Sequence, residues 1–253
     1  MSVLKYNWPA LKYTLKTTFP RLRTLAWFIR RFPLISVENL QTSLYGHPPF
    51  NGQRKRREIV DHLFDVVKFD NVVETGTFLG NTTEYFCKIA ASRDKIRVFS
   101  CDTNEFFLNF AFGRLRDFNN LDLKLSSSAE FLARIGKTIQ GQTNFVYLDA
   151  HWGNYLPFRD EVEILSNWEN TIILVDDFKV EGDPSYLYDD YGDIGVLNVD
   201  YIRDLLGGYH IFFPAHTSDE ENATECRGYV FLTKSVYLSQ ILSEEDNLRM
   251  TLI

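Results

Sequence analysis
The chain has 253 residues, of which 45% are hydrophobic, 15% aromatic and 24% charged, a balance that excludes a disordered or low-complexity polymer. Its formal net charge of −7 hides an asymmetry: eleven of the 27 Lys and Arg residues, but only one of the 34 acids, Glu38, stand at or before Arg57, leaving 16 basic against 33 acidic side chains beyond it. Three widely spaced cysteines, Cys87, Cys101 and Cys226, with no Cys-x-x-Cys pair, argue against a disulfide framework and a zinc site and point to a reducing, cytoplasmic compartment.

Residues 1–53 read as a basic extension. Pro9, Pro20, Pro33, Pro48 and Pro49 cut it into short pieces. Leu22, Leu25, Phe28 and Ile29 alternate with Arg21, Arg23, Arg30 and Arg31, which predicts one short amphipathic basic helix. Lys12, Lys16, Arg21 and Arg23 interrupt any apolar signal-peptide core, and no apolar run approaches the roughly 20 residues of a membrane span. Such an arm suits packing on the acidic body as a cap or dimer contact, an anionic membrane surface, where each well-placed cation contributes about 1 kcal/mol, or RNA.

From Arg54 onward the pattern alternates. Ile59, Leu63, Phe64, Val66 and Val67 mark a helix with one apolar side. Strand-like runs follow at 72–75, 97–102, 121–126, 145–149, 171–176, 209–215 and 228–233, with helical stretches at 81–91, 105–118, 129–139, 158–168, 196–206 and 236–247. This predicts an α/β body over 54–253, a doubly wound, seven-stranded, mostly parallel sheet. The continuous apolar runs Val146-Tyr147-Leu148 and Ile172-Ile173-Leu174-Val175 suit strands buried on both faces. The segment 217–225 has no helical pattern, so the last two strands are expected to close the sheet as an antiparallel pair. Asn81-Thr82-Thr83 and Asn222-Ala223-Thr224 match glycosylation acceptors by chance.

The most telling stretch is Val72 to Thr83, a buried strand ending on Glu74 and turning through Gly76 and Gly80 into a helix. Without a Cβ at either glycine, a ligand can lie against bare main chain. The spacing Glu-x-Gly-x-x-x-Gly is not the Gly-x-Gly-x-x-Gly of a dinucleotide site, and points to a nucleoside without pyrophosphate. Ligands of such sheets bind beyond the carboxyl ends of the strands. Those ends carry Glu74 and Gly76, then Asp102, then Ser126, Ser127 and Ser128, then Asp149 and His151, then Asp176 and Asp177.

That succession over roughly 55–235 resembles the class I S-adenosylmethionine-dependent methyltransferases. The acid after strand four with the Asp-Asp after strand five resembles the metal-dependent small-molecule O-methyltransferases of macrocin and catechol type. The resemblance implies a Rossmann-like methyltransferase fold that binds S-adenosylmethionine through Glu74, Gly76, Thr77, Gly80, Asp102, Ser127, Ser128 and Asp149. Asp102 would accept the ribose hydroxyls, the backbone at Gly76 and Thr77 would receive the methionine part, and Ser127 or Ser128 would meet the adenine edge. The plain alternative for Glu74 and Asp102 is a pair of helix-capping acids.

Asp149, Asp176 and Asp177 stand at neighbouring strand ends. Two carboxylates about 5 Å apart repel by roughly 3 kcal/mol at an effective dielectric of about 20. The three must therefore face water, take up a proton or hold a cation, and oxygen ligands suit Mg²⁺, Ca²⁺ or Mn²⁺. Such an ion would orient a substrate hydroxyl and lower its pKa; otherwise Asp177 turns into the next loop and Asp149 only shapes the cofactor pocket. His151 is placed to act as the base, or to rest in a structural hydrogen bond. Trp152 and Tyr155 are expected in the core, and His216 without a role. The acidic, Tyr-rich stretch Glu181–Asp193 suits a lid and repels nucleic-acid phosphates. The expected acceptor is thus a hydroxyl of a small molecule or glycan, the chain being cytoplasmic, in contact with a membrane through 1–53, or self-associated. A hydroxylase on the same scaffold, or a non-catalytic nucleoside-binding protein, would share most of these features.

Overall fold
A computed structural model describes residues 48–251, apart from 94, 154 and 224. The basic helix expected within residues 21–31, and the arm as far as residue 47, lie outside the described residues. Pro49–Gly52 forms a 3-10 turn that buries Phe50.

Helix α1 (Arg54–Val66) buries Ile59, Val60, Leu63 and Phe64, the stripe its spacing predicts. Strand β1 (Asn71–Thr75) and helix α2 (Asn81–Ala91) follow, then β2 (Arg97–Asp102), α3 (Glu105–Leu115) and β3 (Leu121–Leu125). Next come α4 (Ser128–Ile139), β4 (Asn144–Leu148), α5 (Phe158–Leu165) and β5 (Thr171–Val175). The chain ends through α6 (Val199–Ile202), β6 (His210–Pro214), β7 (Val230–Thr233), α7 (Val236–Ser243) and β8 (Leu248–Thr251). Every residue of β1, β4 and β5 is buried, as befits central parallel strands.

The strands form one sheet in the order β3-β2-β1-β4-β5-β7-β6-β8. β1 to β5 pair in parallel, and β7 runs antiparallel to both β5 and β6. The strand order runs outward in two directions from the β1–β4 junction, and the right-handed crossovers usual for parallel strands then cover both faces of a sheet with helices.

Three expectations need correction. The sheet has an eighth strand: β8 pairs antiparallel with β6 beyond the last helix, which ends at Ser243 rather than at residue 247. The helix expected over 196–206 is one turn, α6, followed by the 3-10 segment Arg203–Leu205. It starts late because Asn198 accepts the Tyr201 N–H at 2.9 Å and fixes its first residue. Trp152 is 79% and Tyr155 38% exposed, outside the core, on a tight antiparallel bridge between them.

Candidate active site
The chain leaves β1 and β4 in opposite lateral directions, which makes their carboxyl ends the switch point where such sheets bind ligands. Thr75 is in register with Leu148, so Gly76 lies against Asp149. A Cβ on Gly76 would stand 2.1 Å from the Asp149 carbonyl oxygen. Gly76 (φ 90°), Phe78 (φ 46°) and Gly80 (φ 77°) all adopt left-handed backbone. The Gly76 and Thr77 N–H groups both donate to the Cys101 carbonyl, at 2.9 and 3.0 Å. The space a side chain would fill is thus taken by the Asp149 main chain at Gly76 and by Leu115 and Ala111 at Gly80, so the glycines let β1, β4 and α3 pack closely where bare backbone for a ligand was expected, and the two N–H donors are already used.

Asp102 holds the strained Phe78 in place. Its Oδ2 accepts the Phe78 N–H and its Oδ1 the Asn104 N–H, both at 2.7 Å, and the Phe78 ring packs on Phe107. Burial raises the Asp102 pKa against these backbone donors. A carboxylate oxygen has two lone pairs, so the group that shapes the turn retains acceptors for a diol.

Glu74 points inward rather than toward a ligand. It is in register with Ser100 and Tyr147 on the neighbouring strands and is buried. Its Oε2 accepts from the hydroxyls of Thr83 and of Ser100, the latter at 2.6 Å. Burial lifts its pKa to about 7, against the pull of those two hydroxyls. Across the sheet, Ser128 is buried at the start of α4 and Ser127 precedes it. The Ser128 and Thr75 hydroxyls stand near enough to the buried Glu161 to offset part of the upward shift that burial gives it. Neither closes a well-aligned hydrogen bond, so Thr75 Oγ1, Ser128 Oγ and Glu161 Oε1 remain without partners.

The three carboxylates do not share one environment. Leu148 and Val175 are in register, which sets Asp149 beside Asp176. Asp176 turns inward: its Oδ1 pairs with Arg56 Nη1 at 2.6 Å, with both side chains buried, and receives the Asp177 N–H at 2.8 Å. Its Oδ2 accepts the Tyr147 hydroxyl. Burial alone would raise Asp176, but Arg56 and these hydrogen bonds hold it below the usual carboxylate range. The Arg56 guanidinium lies 4.9 to 5.5 Å from the ring centres of Tyr229, Phe50 and Tyr147. Asp177, on left-handed backbone at φ 52°, faces outward. Its Oδ2 lies 3.3 Å from His151 Nε2. Its Oδ1 forms an ion pair with Arg227 Nε at 2.9 Å, though not along a well-aligned hydrogen-bond direction. Arg227 also reaches Asp189 at 3.2 Å.

Asp149 keeps a single side-chain partner, the Tyr147 hydroxyl at 3.2 Å from its Oδ2. Burial, with Asp176 and Asp177 close by, pushes its pKa well up. Burial opposes charge on His151, but Asp177, Asp176 and Asp189 outweigh it and raise its pKa. Asp149, His151 and Asp177 bring one donor atom each within 4.8 Å of one another, and these are the groups that could hold an ion. Asp176 is not among them.

The stretch after β5 folds back over this edge. The Asp189 N–H donates to the Asp177 carbonyl at 2.9 Å, Leu187 bridges to Arg227, and the Tyr191 ring meets the His151 ring edge-on at 6.4 Å. His216 accepts a structural place, 2.8 Å from Glu221 Oε1. Arg56, Tyr147, Glu161 and Arg227 were not legible as site residues. The buried register position of Tyr147, two residues before Asp149, was the one available signal.

Neither a protein-family model nor a curated protein matches the chain. Solved structures do match in fold. The O-methyltransferase from Bacillus cereus, solved in complex with SAH, is similar with a TM-score of 0.54 and 16% identity over 87% of this chain and 94% of that one. The O-methyltransferase TomG from Streptomyces achromogenes, involved in tomaymycin synthesis and solved with SAM, is similar with a TM-score of 0.53 and 15% identity over 88% and 94%. The chain therefore has the Rossmann-like fold of the class I S-adenosylmethionine-dependent methyltransferases, as the strand-end residues implied.

Proposed function
We propose that this chain is an S-adenosylmethionine-dependent methyltransferase acting on a hydroxyl of a small molecule or sugar. The observation that carries this reading is the left-handed turn at Gly76, pressed onto the Asp149 carbonyl at the sheet's switch point with the Asp102 carboxylate beside it. A nucleoside fits such an edge: Asp102, held by the Phe78 and Asn104 N–H groups, keeps acceptors for a ribose diol. The relatives in fold were solved with SAM or SAH, which supports the choice of nucleoside. When bound, S-adenosylmethionine supplies an electrophilic methyl group. His151 would take the acceptor's hydroxyl proton, with Asp177 beside its ring to hold the imidazolium that results. The stretch carrying Asp189 and Tyr191 covers His151 and limits water, while exposed Trp152 and Tyr155 offer aromatic faces to the acceptor.

The acidic charge of that covering stretch supports a small acceptor over a nucleic acid. Among the described residues no helix is long and apolar enough to cross a membrane. A divalent ion would find both Asp176 oxygens occupied and Asp177 already ion-paired. The donor set does not fit it, and no step is assigned to it.

Calorimetric titration with S-adenosylmethionine tests the reading. The wild-type chain is expected to bind one equivalent, and Asp102→Ala to bind at least about tenfold more weakly, the loss from one or two charged hydrogen bonds. Absence of binding by the wild-type chain would remove the proposal.

A further inference from the structure
We propose that Arg56 and Arg227 stand where a divalent cation would otherwise be needed, so that this site binds its cofactor and acceptor without metal. The inference concerns the site to which methyl transfer is assigned, and rests on that reading only for the cofactor arm of its test.

Three carboxylates at two adjacent strand ends call for positive charge, and the chain supplies it from two places distant in sequence. Arg56 comes from the first turn of α1 and is wholly buried. It takes Asp176 Oδ1 at 2.6 Å inside a box formed by Phe50, Tyr147 and Tyr229. The other Asp176 oxygen is closed by the Tyr147 hydroxyl. For Asp176 to ligate an ion, a guanidinium would have to be left unpaired among aromatic rings, an arrangement buried charges avoid. The aromatic box and the helix that carries Arg56 keep that charge in place, where a bound ion could exchange with solvent.

Arg227 performs the matching task outside. Its Nε is 2.9 Å from Asp177 Oδ1 and its Nη2 is 3.2 Å from Asp189 Oδ1, so one guanidinium offsets the outer member of the cluster and ties the covering stretch to it. With His151 on Asp177 Oδ2, both Asp177 oxygens face cationic or donor groups. Asp149 and His151 are what remains. One carboxylate and one imidazole would leave an ion held mostly by water, and the convergence of Asp149, His151 and Asp177 comes with its counter-charge already built in.

The test uses the full chain, stripped with EDTA and titrated with Mn²⁺ alone, followed by calorimetry and thermal unfolding. The wild-type chain is expected to show no Mn²⁺-dependent shift, and its affinity for S-adenosylmethionine to agree within about twofold between EDTA and excess Mg²⁺, as zero linkage requires. Arg56→Met frees Asp176, and Arg227→Gln frees Asp177. Each is expected to gain a Mn²⁺-dependent rise in Tm, because an ion that binds only the folded chain stabilises it by mass action. Arg227 is partly exposed, so its variant keeps the test open where Arg56→Met fails to fold. Stoichiometric Mn²⁺ binding by the wild-type chain that disappears in His151→Ala and Asp177→Asn would overturn the inference. So would cofactor binding that vanishes in EDTA and returns with Mg²⁺, an outcome that leaves the transferase reading intact. A chain that binds neither Mn²⁺ nor S-adenosylmethionine would remove the transferase reading and leave the internal cations standing.

Discussion
At Gly76 two constraints coincide: backbone φ is 90°, and an added Cβ would meet the Asp149 carbonyl oxygen at 2.1 Å. The first constraint costs an alanine about 1–2 kcal/mol; the second forces β1 and β4 apart at the proposed cofactor site. Gly76→Ala is therefore expected to lower Tm by several degrees and to abolish S-adenosylmethionine binding in calorimetry. Binding at wild-type strength would show that the turn is not the cofactor's floor.

Glu74 illustrates a residue whose burial outweighs its hydrogen bonds. Its pKa moves from 4.5 to about 7, so the folded chain binds a proton more tightly than the unfolded chain. The stability from this group is fully present below pH 4.5 and is lost as pH rises through about 7, a total of about 3 kcal/mol. Glu74→Gln can still accept from Thr83 and Ser100 but does not ionise. Denaturant unfolding should find the variant more stable than wild type at pH 8 and close to it at pH 5. A variant that is equally destabilised at both pH values would contradict this assignment.

Among the elements, α1 carries the clearest long-range dependence. The side chain of Gln53, just before its first turn, bonds to the Arg227 carbonyl, while the Lys55 and Arg56 N–H groups donate to Glu221 Oε2 at 2.8 and 3.2 Å. Glu221 comes from the connection between β6 and β7 and also engages His216 and Tyr229. A cap on a helix N-terminus contributes about 1 kcal/mol, and orphaning buried partners adds about 1–3 kcal/mol. Glu221→Ala should thus cost about 2–4 kcal/mol in urea unfolding. A change under about 0.5 kcal/mol, the range of ordinary surface substitutions, would mean that α1 is not held this way.

Helix and strand existence was legible where a period or a continuous apolar run was strong. α2 and β2 fall at the predicted bounds, and β4 and β5 within one residue at each end. β8 was hidden because a four-residue edge strand has too little sequence for a period and is specified by pairing with β6. α3 misleads in the other direction: Phe106, Phe107, Leu108, Phe110 and Phe112 look like a core face, yet only Ala111 and Leu115 are buried.

For the whole molecule, the charge boundary and the structural boundary differ. Basic residues continue into the first turn of α1, but Phe50 packs edge-on with Tyr85, Phe86 and Tyr147, and Gln53 is buried. A chain beginning at Pro48 is expected to unfold cooperatively near the full-length Tm and to bind S-adenosylmethionine. One beginning at Arg54 should lose about 3–5 kcal/mol, the cost of emptying a large aromatic site. Comparable Tm values for the two truncations would exclude Phe50 from the core's accounting. Vesicle flotation of the full chain against the form beginning at Pro48 tests membrane contact by the basic arm.

Local periodicity and continuous apolar runs were enough to read seven of the eight strands, the glycine turn and the order of acids at the strand ends. The sequence by itself also placed Asp102, Asp149, His151, Asp176 and Asp177 on one edge. Only the tertiary structure decided how those charges are met. Arg56 and Asp176 are 120 positions apart, and nothing local in either segment names its partner. Arg56 carried no site role in the sequence, and Asp176 read as a metal ligand. A charge buried at the centre of a fold must find its counter-charge through space, and folding brought the two together in a box of three rings.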